Sequence, residues 1–356
     1  MKKRIVAVLL SSVWLAMNLA GCGNKEENTQ APMVAEEDTS EGEQETGEAT
    51  RVFQLGHLDP SQDDNAYQIF CVQFKENLEA VSDGRLSVDI FGDGMLGGEI
   101  ELMEGMKLGN VDMALITNNY YGNFVKDNMI FDLPFVFADY EEEHKILDSD
   151  EVMEPLRQQL YDEWGVKQLA WGDSGFRYVV NTKRPLVDVS DFNGLKIRLP
   201  ENTVYVETFK SLGANPTTMA FSEAYTAVQQ GTVDGLEITA SAINTAGYYE
   251  ICDYLSLTKH FASPIAINIS AKVWESLSEE EQGFVQEAAN LARETQREIV
   301  IENEQKLLDK MAEAGCQINE IGDIEEYRTA VEPVFDYIRT VIDHPELLDL
   351  VLEKLQ

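Results

Sequence analysis

From Phe53 onward, short runs of period-two hydrophobicity alternate with longer stripes of period near 3.6, and that alternation leaves few folds open. A first strand pattern around Phe53 ends at "GHLDP". A helical stripe of Tyr67, Phe70, Phe74, Leu78 and Val81 follows, and Gly84 stops it. "RLSVDIF" then places Leu86, Val88 and Ile90 on one face of a strand. A glycine-rich turn, a helix near 99–108 and the strand "VDMALIT" come next. The order continues through "VKQLAWGD", "GLKIRL" and "TVDGLEI". Such a sequence packs as an α/β fold with a largely parallel sheet.

One element breaks the rhythm. Ser278 and Glu281 form a capping box, and the helical pattern they open continues almost to Gly315. A helix of about 35 residues is about 50 Å long. It carries no sustained heptad, so it is a strut across two domains rather than a coiled coil. Two domains also fit the 356-residue length, because a folded portion of about 300 residues exceeds the usual size of a single core.

The first residues are an address. Lys2, Lys3 and Arg4 precede the apolar run Ile5 to Met17, and "LAGC" follows, ending at Cys22. The run reads as a secretory signal peptide, too short and wrongly flanked for a membrane span. "LAGC" resembles a bacterial lipoprotein lipobox, which implies cleavage before Cys22 and a lipid on that residue. Residues 1–22 are therefore expected to be removed or modified. Residues 23–50 are acidic, small and without aromatics, a composition that cannot bury enough surface to fold. As a tether they would span roughly 30 Å root-mean-square. The body is expected outside the cytoplasm, held to the membrane by lipid alone.

The formal net charge of −37 argues against nucleic acid as a partner. Cys71, Cys252 and Cys316 have neither disulfide-framework nor zinc-site spacing and read as small buried residues, although one pair could bridge. His57, His144, His260 and His344 are scattered, so no metal or cofactor is expected. No Ser-His-Asp or Cys-His set is apparent, which argues against an enzyme. "FGDGMLGGE" contains Gly92-x-Gly94-x-x-Gly97, but Asp112 stands at the start of a strand, immediately after the turn at Gly109-Asn110. A dinucleotide fingerprint needs its acidic residue at the carboxyl end of the second strand, so these glycines read as a turn.

In open α/β sheets, ligands sit beyond the carboxyl ends of the strands. "LKIRLPEN" places Arg198 at one such end. "AWGDSGFRYVV" places Arg177 after a Ser-Gly turn, and "VDMALITNN" ends in Thr117, Asn118 and Asn119. Two arginines with neutral donors make an anion receptor, because a guanidinium fork meets a carboxylate with two parallel hydrogen bonds.

Several stretches, in order, resemble one family: "LGHLDP", "MLGGE", "LGNVDMAL", "FDLPFVF", "GFRYVVNTKRP", "LKIRLPEN", "MAFSEAYTAVQQGTVDG" and "YYEICDYLSLTKH". Together they look like the DctP-type substrate-binding protein of tripartite ATP-independent periplasmic (TRAP) transporters. The resemblance implies a two-lobed periplasmic-binding-protein-like α/β fold with one long helix spanning both lobes. It also implies an ion-driven partner of one small and one large membrane subunit. We expect residues 51–175 plus 264–303 to form one lobe, and 176–263 plus 304–356 the other. By the resemblance, Arg198 holds a carboxylate and Arg177 closes on the same group. Phe221 packs on the ligand, while Glu99 and Asn118 face the cleft. Read from the residues alone, Phe221 could instead be a hydrophobic staple before a Ser222 N-cap, and Glu99 could simply favour a helix N-terminus. Ile238 stands where family members often have an Asn that serves the carboxylate, so Thr239 or a water would have to substitute. The expected function is capture of a small organic anion, a C4-dicarboxylate or sugar acid, for a TRAP permease. The alternative is presentation of that ligand to a membrane sensor.

Overall fold

The structure, a computed structural model, describes residues 51–356; the expected signal peptide (1–22), the lipid site expected at Cys22 and the expected tether (23–50) lie outside the described residues. The chain begins β1 (Arg51–Gly56), α1 (Ala66–Val81), β2 (Leu86–Phe91), α2 (Glu99–Leu108), β3 (Met113–Thr117) and a short α3 (Asn118–Tyr121). It continues through α4 (Tyr140–Leu147), α5 (Asp150–Trp164), β4 (Val166–Asn181), β5 (Lys196–Leu199), α6 (Thr203–Ser211) and β6 (Asn215–Thr218). Then come α7 (Phe221–Gln229), β7 (Gly235–Thr239), α8 (Ala240–Thr245), β8 (Tyr254–Leu257) and β9 (Ala262–Ser270). The last elements are α9 (Ala271–Glu275), α10 (Glu279–Glu313), β10 (Gln317–Glu320), α11 (Ile324–Val341) and α12 (Pro345–Lys354).

The strands follow the order β2-β1-β3-β9-β4-β7-β5-β6, with β8 on β4 and β10 on β8. β4 belongs to two halves of this sheet. From Val166 to Phe176 it pairs with β9, and from Arg177 to Asn181 with β7 and β8. The sheet is not largely parallel, as the strand–helix order suggested. Its outer ladders are parallel, but every ladder made by β4 or β9 is antiparallel. These two strands carry the chain between the halves in opposite directions, so the centre cannot be parallel. The expected Ser-Gly turn before Arg177 is also absent. β4 passes through it as one strand with a register shift between Asp173 and Phe176, and Gly175 takes φ +101° there. An irregularity of this type bends the strand without ending it.

The expected strut is α10, with both halves of the Ser278–Glu281 capping box formed. It packs against α1 and the first part of β4, then against α8 and β10, and so spans both lobes. Small residues let it lie close: Ala288, Ala289 and Ala292 receive Phe70, Phe74 and Leu78 of α1 in one buried cluster. Gly283 stands in open space within its second turn, so nothing there requires a glycine. In the β2–α2 turn the glycines are needed. A Cβ on Gly92 would fall 2.6 Å from the His57 ring and closer still to Ser61, and Gly97 has φ +111°. Cys71, Cys252 and Cys316 are buried and free. Among the described residues no helix is long and apolar enough to cross a membrane.

The start of α12 is pinned from inside. Asp127 is buried; its Oδ1 accepts the backbone N–H groups of Asp343 and His344, and its Oδ2 lies 2.7 Å from His344 Nδ1. That hydrogen bond raises the His344 pKa above its ordinary 6.5. A raised folded-state pKa stabilises fully below the unfolded value and loses its effect as pH rises through the folded one. His344→Ala is therefore expected to destabilise the protein in urea unfolding at pH 6 more than at pH 8.5; an equal loss at both would contradict the ion pair.

Candidate functional site

The site forms where β4 and β9 cross between the halves of the sheet. β7, "GLEIT", is buried along its whole length and carries Glu237 into the interior at 0% exposure. Arg177 of β4 meets it there. Its Nε–H donates to Glu237 Oε2 at 2.5 Å, and its Nη2–H donates to Oε1 at 2.9 Å and to the Glu237 carbonyl at 3.1 Å. Burial opposes ionisation of Glu237, but the guanidinium outweighs it and holds the carboxyl below its ordinary pKa. Burial pushes His260 the other way, down, so this imidazole is neutral at physiological pH. Its Nε2 lies 3.3 Å from Glu237 Oε2 and its Nδ1 2.7 Å from Thr258 Oγ1. Because a carboxylate only accepts, Nε2 carries the proton and Thr258 donates to Nδ1. One corner of Arg177 escapes this grip: Nη1 donates to Ser263 Oγ at 3.2 Å.

Arg198 is held quite differently. It is 2% exposed, and its Nε–H and Nη2–H both donate to the Met219 carbonyl, at 3.1 and 2.7 Å. Among the described residues no carboxylate reaches ion-pair distance of it. Burial accordingly lowers its pKa. The Phe221 ring lies beside it, 5.9 Å from Cζ to centroid.

Both arginines line one small cavity. Around them stand Phe221, Ile238, Thr239, Ser263 and Ser174; the opposite wall holds Asp59, Tyr67, Glu99, Thr117, Asn119 and Tyr120. Glu99 opens α2, and its Oε1 accepts the Thr117 N–H at 3.1 Å and the Tyr67 hydroxyl at 3.4 Å. Its buried Oε2 has no partner. Burial, reinforced by Asp59, raises the Glu99 pKa to about 8, so near neutral pH it is mostly an uncharged acid. Burial lifts Asp59 to about 6.

Of the residues singled out in the sequence, Arg198, Arg177, Phe221, Glu99 and Thr117 come together on this cavity. Asn118 does not. Its Nδ2 donates to Asp132 Oδ1 at 2.9 Å, and the other oxygen of Asp132 accepts from Asn202 Nδ2 at 2.6 Å. The chain turns into α3 at Asn118, and this rotation brings Asn119 to the cavity with its buried Oδ1 unpartnered. Phe221 is no staple for a Ser222 cap, because α7 starts one residue earlier, with Ala220 at the N-cap. Thr239 is already engaged, 3.2 Å from Ser174 Oγ and capping the Ala242 N–H at 3.4 Å. Glu237 and His260 were missed. The available signal was a lone Glu inside a strand otherwise without charge.

The profile of bacterial extracellular solute-binding protein family 7, DctP, matches residues 55–340. The chain belongs to this family. The 2,3-diketo-L-gulonate-binding periplasmic protein YiaO of Escherichia coli is 33% identical over 270 residues, covering 76% of this chain and 81% of that one. A TRAP periplasmic solute-binding protein of a Polaromonas species, solved bound to D-erythronate, is 33% identical with a TM-score of 0.80. It covers 85% of this chain and 98% of its own. The sugar acid binding protein DctPAm of Advenella mimigardefordensis, solved with galactonate, has a TM-score of 0.82 at 27% identity, covering 86% and 98%. This chain is thus a DctP-type solute-binding protein of the TRAP class, with the two-lobed periplasmic-binding fold of its relatives.

Removing Glu237 leaves a buried guanidinium uncompensated. Glu237→Ala is expected to cost about 3–5 kcal/mol in urea unfolding; a loss under about 1 kcal/mol would show that the pair does not anchor this wall.

Proposed function

We propose that this DctP-type protein captures a sugar acid with a single carboxylate outside the cytoplasm and delivers it to the membrane subunits of a TRAP transporter. The observation that carries this reading is the charge inventory of the cavity. Arg177 is matched by Glu237, whereas Arg198 has only a carbonyl. One unmatched cation therefore faces a wall that holds Asp59 and Glu99. A C4-dicarboxylate would bring a second negative charge to that wall with no cation to receive it. A polyhydroxy acid brings hydroxyl groups instead, which can donate to the unpartnered Asn119 Oδ1 and accept the proton that the uncharged Glu99 carries on Oε2. The ligands named for the relatives, erythronate, galactonate and 2,3-diketo-L-gulonate, each carry one carboxylate.

Affinity of this kind needs enclosure. Micromolar binding of an acid with about ten heavy atoms requires about −0.8 kcal/mol per atom, near the efficient end for small ligands. In our reading residues 51–175 plus 264–303 close as one lobe on 176–263 plus 304–356, with β4 and β9 as the hinge. Arg198 gives the carboxylate its charge-assisted bonds, and Ser263 with Arg177 Nη1 is the second contact. Ile238 offers that group an apolar neighbour only, so the carboxylate depends more heavily on Arg198. The protein would be retained at the membrane by a lipid on Cys22, which metabolic labelling with a fatty acid would reveal and Cys22→Ser would abolish.

Calorimetry of the purified full chain with galactonate, erythronate and succinate tests the reading. Arg198→Ala is expected to remove about 2–5 kcal/mol of sugar-acid affinity. Arg198→Lys should bind poorly as well, since a point charge replaces the fork. Near-normal binding by either variant, or tighter binding of succinate than of both sugar acids, would contradict it.

A further inference from the structure

The cavity does not end the cleft. Leu58, Glu99, Tyr120 and Phe221 are walls of both the cavity and an adjoining, larger chamber of about 720 Å³. A ligand of a single sugar ring or chain held at Arg198 leaves most of this larger outer space empty. The chamber persists although the two halves of the fold already touch on both flanks. Asn65 Nδ2 donates to Thr245 Oγ1 at 3.0 Å on one side, and Asn202 Nδ2 to the Asn119 carbonyl at 2.7 Å on the other.

The lining of the chamber has a definite chemistry. Phe221 and Tyr225, both half-buried, are joined through the buried Tyr248, with ring centroids 6.3 Å apart from Phe221 to Tyr248 and 5.6 Å from Tyr225 to Tyr248. Asp93, Glu101 and Glu201 add three carboxylates, and among the described residues no Lys or Arg lines the space. Aromatic faces receive the C–H faces of a pyranose, and carboxylates accept its hydroxyl protons. The same carboxylates repel a second acid group.

Resting on the sugar-acid reading above, we propose that the chamber is a subsite for a neutral glycosyl residue, so that the preferred ligand is a glycosylated sugar acid carrying one carboxylate. The acid end lies on Arg198, the chain passes Glu99, and the glycosyl ring rests on the half-buried Tyr225, which the buried Tyr248 supports. A disaccharide of two uronic acids is disfavoured, because its second carboxylate would sit among Asp93, Glu101 and Glu201.

Calorimetry of the purified full chain with gluconate, cellobionate, lactobionate and digalacturonate separates the possibilities. Cellobionate and lactobionate are gluconate bearing a neutral glucosyl or galactosyl group. At least one is expected to bind about tenfold tighter than gluconate, and digalacturonate about tenfold weaker than that one. Tyr225→Ala should cost the glycosylated acid about tenfold and leave gluconate within about twofold, while Tyr225→Phe keeps the preference. Glu201→Gln, an exposed substitution, should raise digalacturonate affinity selectively. Gluconate binding as tightly as both glycosylated forms, equal loss of both ligand types in Tyr225→Ala, or digalacturonate matching the neutral disaccharides would overturn the glycosyl subsite while leaving sugar-acid capture standing. Absence of binding by every acid would overturn both.

Discussion

A buried carboxylate, Glu237, decides how the two arginines differ. Guanidinium groups on the two strands that flank β7 in a closed interior would repel each other and resist desolvation if both were left free. Here one is locked into a bidentate pair, backed by a neutral His260, and becomes part of the wall. The other, Arg198, has a carbonyl and an aromatic ring for company. The interior thus stores one unsatisfied positive charge at a defined position. That charge remains effective in a chain of net −37, because salt screens the surface charges beyond about 8 Å while a buried group is screened much less.

The fold exists to hold that position between two bodies. β4 reaches from the β9 ladder into the β7 ladder without a break, so Arg177 is fixed relative to both halves of the sheet. α10 runs alongside and ties the same strand: Gln296, fully buried, accepts the Asp173 N–H at 2.9 Å beside the bend at Gly175. The strand bends at one glycine beside a continuous helix, which keeps Arg177 in register with both ladders.

Much of this was legible in the residues. Period-two and period-3.6 patterns located the strands and helices, and the Ser278–Glu281 box located the start of the strut, because these depend on neighbours in sequence. Arg198, Arg177, Phe221, Glu99 and Thr117, singled out from strand ends and motif resemblance, line one cavity. What escaped depends on distant partners. The direction of β9 beside β4 is a long-range pairing that no local pattern encodes. The choice of Asn119 over Asn118 follows from one helical rotation after β3 and from Asp132, which takes Asn118 away. Glu237 looked like a residue of a motif rather than a counterion, since its partner is 60 positions away in the chain.

The most direct measurement is a crystal structure of this protein with galactonate bound. The expected result has the carboxylate on the Arg198 guanidinium, with charge-assisted hydrogen bonds of about 2.7–2.9 Å, while Arg177 Nε and Nη2 remain on Glu237. A carboxylate seated elsewhere, with Arg198 still bonded only to the Met219 carbonyl, or one that displaces Glu237 from Arg177, would contradict the division of labour between the two arginines.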